Sequence, residues 1–171
     1  MKRTEKDKYA FILVSDEARW NQLCECSQTT DGSGVFIRKS RVAPKYGQKL
    51  LFYIKKPDAQ IRGVAVLVER LTGSCQTLWE QLGKESCFHS FDEYQDFIEG
   101  RETATFVRFK NLRVFETPIS GLVFSSQVGF PLSPRGGRYL TFEEFSKLEV
   151  WKRFWLSTRS VSQLNKFQLM A

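Results

Sequence analysis

Tyr46–Ser74, YGQKLLFYIKKPDAQIRGVAVLVERLTGS, is the stretch whose reading decides the fold. Leu50, Phe52 and Ile54 alternate with Lys49, Leu51, Tyr53 and Lys55, the period-2 pattern of a strand with one buried side. Pro57-Asp58 supplies a turn, since proline presets φ and the aspartate side chain can bond nearby backbone. GVAVLVERL then begins apolar on both faces, as expected of a central strand covered on two sides. The domain is therefore expected to be built around this hairpin.

Working outward, KYAFILVS (8–15) reads as an opening strand, followed by a helix from Asp16 to about Glu25 with Ser15 or Asp16 as N-cap. SQTTDGSG is loop by composition and GVFIRKSRV returns to strand. Thr77–Leu82 is expected to form one helical turn around Trp79. Ser90-Phe-Asp-Glu93 has the form of a capping box, opening a helix with the apolar stripe Phe91, Tyr94, Phe97, Ile98 and closing at Gly100. ATFVRFKNLRVF is a long strand whose alternation slips by one residue at Asn111, the signature of a β-bulge. A loop carrying Pro118 and Gly121 leads to LVFSSQV, read as a further short strand. Thr141-Phe-Glu-Glu144 is a second capping box, and its helix is expected to continue towards Trp151 and Phe154.

With 171 residues, 42% of them hydrophobic and 26% charged, the chain can bury a core and does not read as disordered. The net charge of +7 is uneven: the basic excess lies in the first 60 residues and after residue 120. Basic ends around a near-neutral middle favour an anionic partner, nucleic acid rather than membrane, since no long apolar stretch occurs. Met1–Lys8 is charged and the AFILV run behind it is short, so no secretory signal is read and a cytoplasmic location is expected. Cys24, Cys26, Cys75 and Cys87 lack paired zinc-ligand spacing; a set drawn from Cys24, Cys26, Cys87 and His89 is outweighed by reduced, partly buried thiols. No metal or cofactor is expected. The lone histidine sits just ahead of a capping box, and no GxSxG elbow, P-loop or HExxH is present.

The order of strands and helices resembles the PUA-like superfamily, which includes the PUA, ASCH, EVE and YTH domains. The stretches that carry the resemblance are the opening strand with Trp20 in the next helix, RVAPKYGQKLLFYIK followed by IRGVAVLVER, Trp79, SFDEYQDF, TFVRFKNLRVF and GGRYLTFEEF. It is closest to an uncharacterised archaeal family and spans about residues 8–150. Residues 151–171 are left as a basic C-terminal extension, with residues 152–171 able to contact a protein partner. The resemblance implies an α+β fold, a small curved β-barrel flanked by short helices, with a cleft used for RNA or modified DNA. EVE and YTH members hold a modified base in an aromatic cage. The lysine–glutamate–arginine pattern of ASCH domains is not clearly present in the opening region, which counts against hydrolase or ribonuclease activity.

Recognition of single-stranded RNA or a flipped base needs aromatic faces for stacking and cations for the backbone. The candidate nucleic-acid-binding residues are Trp20, Ser33, Arg38, Lys39, Lys49, Tyr53, Lys55, Trp79, Arg108, Lys110, Arg135 and Arg138. Tyr53 shares a strand face with Lys49 and Lys55, and Arg108 and Lys110 share one with Phe106. Pro134-Arg-Gly-Gly-Arg138 adds two arginines and free backbone N–H groups. Trp20 and Trp79 are favoured as stacking groups over Trp151 and Trp155, against the alternative that each tryptophan is core. RNA is preferred over modified DNA; a protein-interaction adaptor, or a hydrolase using Lys39, Tyr53 and Glu69, are the competing readings.

Overall fold

The computed structural model describes residues 7–39, 43–55, 57–132 and 137–148. Six strands form one sheet: β1 (Ala10–Ser15), β2 (Gly34–Arg38), β3 (Lys49–Ile54), β4 (Gln60–Ser74), β5 (Thr103–Ser120) and β6 (Tyr139–Leu140). Their spatial order is β2-β5-β4-β3-β1-β6. The sheet is mixed α+β in its surroundings, as expected, but it is open where a closed barrel was expected. Its two edges are the two-residue β6 and the five-residue β2, which beyond β5 makes only an isolated bridge from Val35 to Ser86.

The hairpin at the centre forms as read. β3 pairs antiparallel with β4 and, on its other side, parallel with β1, so Phe11 lies opposite Leu50 and Leu13 opposite Phe52. Ala10–Val14 of β1 are apolar because both faces of the strand are covered. Phe11 and Leu13 join Phe52, Trp20 and Phe109 on one side, under α1 (Glu17–Thr29). Ala10 and Ile12 join Leu51, Tyr53 and Phe115 on the other, under α4 (Gly121–Val128) and α5 (Phe142–Ser146). A third cluster packs α2 (Cys75–Leu82) and α3 (Phe91–Ile98) against Val35, Ile37 and Phe106.

The slip at Asn111 is real: its φ is +55°, and the β4–β5 pairing shifts register three times. These bulges coil the two long strands. Strand β5 runs on through Pro118 to Ser120, where a loop was expected. Pairing jumps from Gly63↔Val114 to Ile61↔Ile119, so the proline sits in the bulge and removes no ladder bond.

LVFSSQV is a helix, not a strand. Ser120 caps it by accepting from Val123 N at 3.3 Å, and Gly129, at φ +80°, ends it. Phe124 and Val128, four residues apart, both pack into the second core, and that burial outweighs the β preference of the valines. At α3 the capping is shifted by one residue: Ser90 Oγ accepts from Glu93 N, but Glu93 Oε2 takes the N–H of His89. The box at Thr141 and Glu144 is complete. Continuation of α5 towards Trp151 and Phe154, and the extension 151–171, lie outside the described residues. No helix among the described residues is long and apolar enough to cross a membrane.

Candidate nucleic-acid interface

Residues at the C-terminal ends of β1 and β2, just past the end of β3 and in the first turn of α1 border an open groove of about 240 Å³. Val14, Ser15 and Asp16 form one wall, Phe36–Lys39 another, and Lys55, Arg19 and Phe97 complete it. Asp16 caps α1, its Oδ1 accepting from Arg19 N at 2.8 Å. That cap turns the chain so that Arg19 faces the groove. The Arg19 guanidinium carbon lies 4.5 Å from the ring centres of both Phe88 and Phe97, and Nη1 donates to Gln22 Oε1 at 2.8 Å. Gln22 is itself anchored to the Cys87 carbonyl at 2.6 Å. Burial holds the Arg19 pKa below the usual value, with nearby Cys87, Asp16 and Glu93 opposing. Lys39 Nζ sits 4.9 Å over Phe97 and pairs with Glu99 at 2.6 Å.

Arg38 is the unusual member. Its Nη1 is buried, and it alone among buried side-chain nitrogens and oxygens of the described residues lacks a hydrogen-bond partner. Burial lowers its pKa, with no carboxylate acting in the other direction. An arginine stays charged under such conditions, so the groove holds a partly desolvated cation facing no anion. The four cations around this space meet one carboxylate inside it, that of Asp16.

Of the twelve residues expected at the site, Arg38, Lys39 and Lys55 meet in this groove. Trp20 does not: it is 3% exposed, its ring 5.5 Å from that of Phe52. It covers Gly63, where a Cβ would stand 2.6 Å from the indole. A helix residue facing the sheet is claimed by the core. Tyr53 is likewise buried, at 4%, because the sheet face it shares with Lys49 is covered by α4 and α5. Neither offers a stacking face. Trp79 is half-buried and stacks on Tyr94 at 5.1 Å and 15° within the α2–α3 cluster.

Arg108 is not a free cation. Glu85 grips it through two bonds, 2.7 Å to Nε and 2.8 Å to Nη2, and Glu69 adds a third at 3.2 Å. This fork ties the turn Gly83–Glu85 to β4 and β5. Lys110 is exposed on the same strand. Lys49 falls in a separate concavity of about 120 Å³ with Asn111 and Arg113. Burial, then Arg113, lowers its pKa. Ser33 precedes β2, at the end of that strand remote from the groove. Arg138 is exposed and stacks at 3.2 Å on Phe130; Arg135, like Trp151 and Trp155, lies outside the described residues. Lys39, Tyr53 and Glu69 fall into three separate environments: the groove, the core and the Arg108 ion pair.

The sequence reading missed Asp16, Arg19 and Phe97 as groove residues. Asp16 was legible as a cap, but nothing adjacent in sequence announces that the first turn of α1 borders the same groove as the end of β2. The four cysteines are free thiols, and no group of three or more His, Cys, Asp or Glu side chains among the described residues could hold a metal.

This open, bulged sheet with short helices is the fold of ASCH-type PUA-like domains. ASCH from Zymomonas mobilis aligns with TM-score 0.66 at 22% identity, over 86% of this chain and 96% of that one. A serine-to-alanine variant of the same protein aligns with TM-score 0.67 at 22% identity, over 85% and 98%. In sequence, an ASCH domain-containing ribonuclease of Zymomonas mobilis is 32% identical over 71 residues, 42% of this chain. That match spans about half of the relative, 47% of its length. No protein-family model matches the chain.

Proposed function

We propose that this chain binds RNA through the groove at the β1–α1 corner. The observation that carries the reading is Arg38, a guanidinium with a buried, unpaired nitrogen in a groove it shares with Arg19, Lys39 and Lys55. Keeping such a donor dry and unsatisfied costs stability, and an anionic ligand relieves that cost. The ribonuclease named among the similar proteins supports RNA over DNA as the polymer. Reading of a flipped or modified base is the finer form of the proposal. Phe97 is the half-buried ring bordering the groove, and Arg19 and Lys39 already rest against it. A base entering here therefore meets cations before an open aromatic face.

The test is a filter-binding panel of RNA and single- and double-stranded DNA, modified and unmodified, at two salt concentrations. RNA should bind with a salt dependence that Lys55→Ala flattens by about 0.7 in the log–log slope, one phosphate contact on a single strand. Equal slopes for mutant and parent would remove Lys55 from the interface. The second reading, ribonuclease activity, draws on the same relative. It requires RNA turnover that is lost on changing groove residues, and intact RNA after prolonged incubation would reject it. The adaptor reading predicts a protein partner retained through residues 152–171 after nuclease treatment.

A further inference from the structure

Granting that the groove is an RNA site, its shape and charge narrow what part of an RNA enters it. We propose that the groove receives the terminal phosphomonoester of an RNA end, rather than an internal phosphodiester. Three observations converge on this.

The first is reach. Arg38 lines the groove with Nη1 shielded from solvent and unpartnered, so an acceptor must press into the wall and the guanidinium must turn to meet it. An internal phosphate has ester-linked chain leaving on two sides, which holds its free oxygens away from a recessed donor. A terminal phosphate has three unsubstituted oxygens and one chain to route. The second is volume. At about 240 Å³ the groove is smaller than the ~300–1,000 Å³ of pockets that enclose a whole small ligand. It suits one compact group with its neighbour outside. The third is charge. Arg19 has Asp16 and Glu93 near it and Lys39 is paired with Glu99, so among the described residues Arg38 and Lys55 are the two cations of the groove without a carboxylate partner. A phosphomonoester carries about −1.5 to −2 at neutral pH, whereas a diester carries one. Arginine's planar fork also matches phosphate oxygens bidentately, which lysine at this position would not.

The same chemistry could come from a free nucleotide, so the experiment separates the sources. One short single-stranded RNA would be prepared with a 5′-phosphate, a 3′-phosphate, or hydroxyls at both ends. Binding to the full chain would be followed by fluorescence anisotropy, with a nucleoside monophosphate and inorganic phosphate as competitors. One phosphorylated end should bind about tenfold or more tighter than the hydroxyl form, the worth of a charge-assisted hydrogen bond. The advantage should shrink from about pH 7.5 to about pH 5.5, across the second phosphate ionisation near ~6. Arg38→Gln should erase it, bringing all three RNAs down to one weaker affinity; Lys55→Gln, at an exposed position, should reduce it without any question of folding. Equal affinity for all three RNAs, still weakened by Lys55→Gln, would overturn the end-phosphate assignment and leave the groove as an RNA site. Tighter binding of the mononucleotide than of any RNA would overturn the RNA end as its source. No binding of any RNA would overturn the underlying reading itself.

Discussion

Arg38→Met separates the ligand's needs from the fold's. Methionine keeps an unbranched stem and removes the guanidinium whose Nη1 has no partner. An unsatisfied buried donor costs about 1–3 kcal/mol. Arg38 is only half-buried, and solvent reaching the rest of its head reduces that figure to about 1 kcal/mol. In a chain of this size such a gain raises Tm by about 2–4 °C. Binding should move the other way: losing a charge-assisted hydrogen bond of about 1.5–3 kcal/mol weakens RNA affinity by about 10- to 100-fold. Thermal denaturation and anisotropy on the same preparation read both. A stabilised protein that has lost its RNA is the expected result. A lower Tm with unchanged affinity would mean that Arg38 serves the fold, and the argument from its unpaired nitrogen would fall.

Other outcomes follow from where the remaining residues sit. Trp20→Ala should cost about 3–5 kcal/mol in urea unfolding, because it empties the space between Phe52 and Gly63; a loss below about 1 kcal/mol would contradict its place in the core. Glu85→Gln should lower stability by about 1 kcal/mol or less and leave RNA affinity unchanged, since it loosens the fork on Arg108; a large change in affinity would return Arg108 to the interface. Burial pushes the Cys24 thiol up to about 12. The group is therefore protonated at neutral pH, and at about pH 8 only about one molecule in 10⁴ carries the thiolate. Its reaction with a thiol reagent should be slow and should quicken about tenfold per pH unit, up to its pKa. Rapid, pH-independent labelling of Cys24 in the folded chain would refute this.

The elements whose patterns are local were legible. The period-2 run at Lys49–Ile54, the caps at Ser90 and Thr141 and the slip at Asn111 each follow from a few adjacent residues. What failed depended on distant partners. LVFSSQV carries strand-forming residues, yet it is helical because Phe124 and Val128 find a core made by β1, β3 and α5. Tyr53 sits on the same strand phase as Lys49, which looked like a wet face until two later helices covered it. Arg108 looked like a phosphate contact because nothing near it in sequence announces Glu85. Openness of the sheet was hidden too, since closure depends on whether β2 and β6 meet. Arg38, Lys39 and Lys55, expected from their basic character, sit at or just past the ends of β2 and β3 and line the same groove.

The most direct test of the groove is an RNA titration followed by amide chemical shifts in the labelled protein. The account predicts that Asp16–Arg19, Phe36–Lys39 and Lys55 shift together and saturate at one affinity. Shifts confined to the Lys49, Asn111 and Arg113 concavity, with the β1–α1 corner silent, would contradict it.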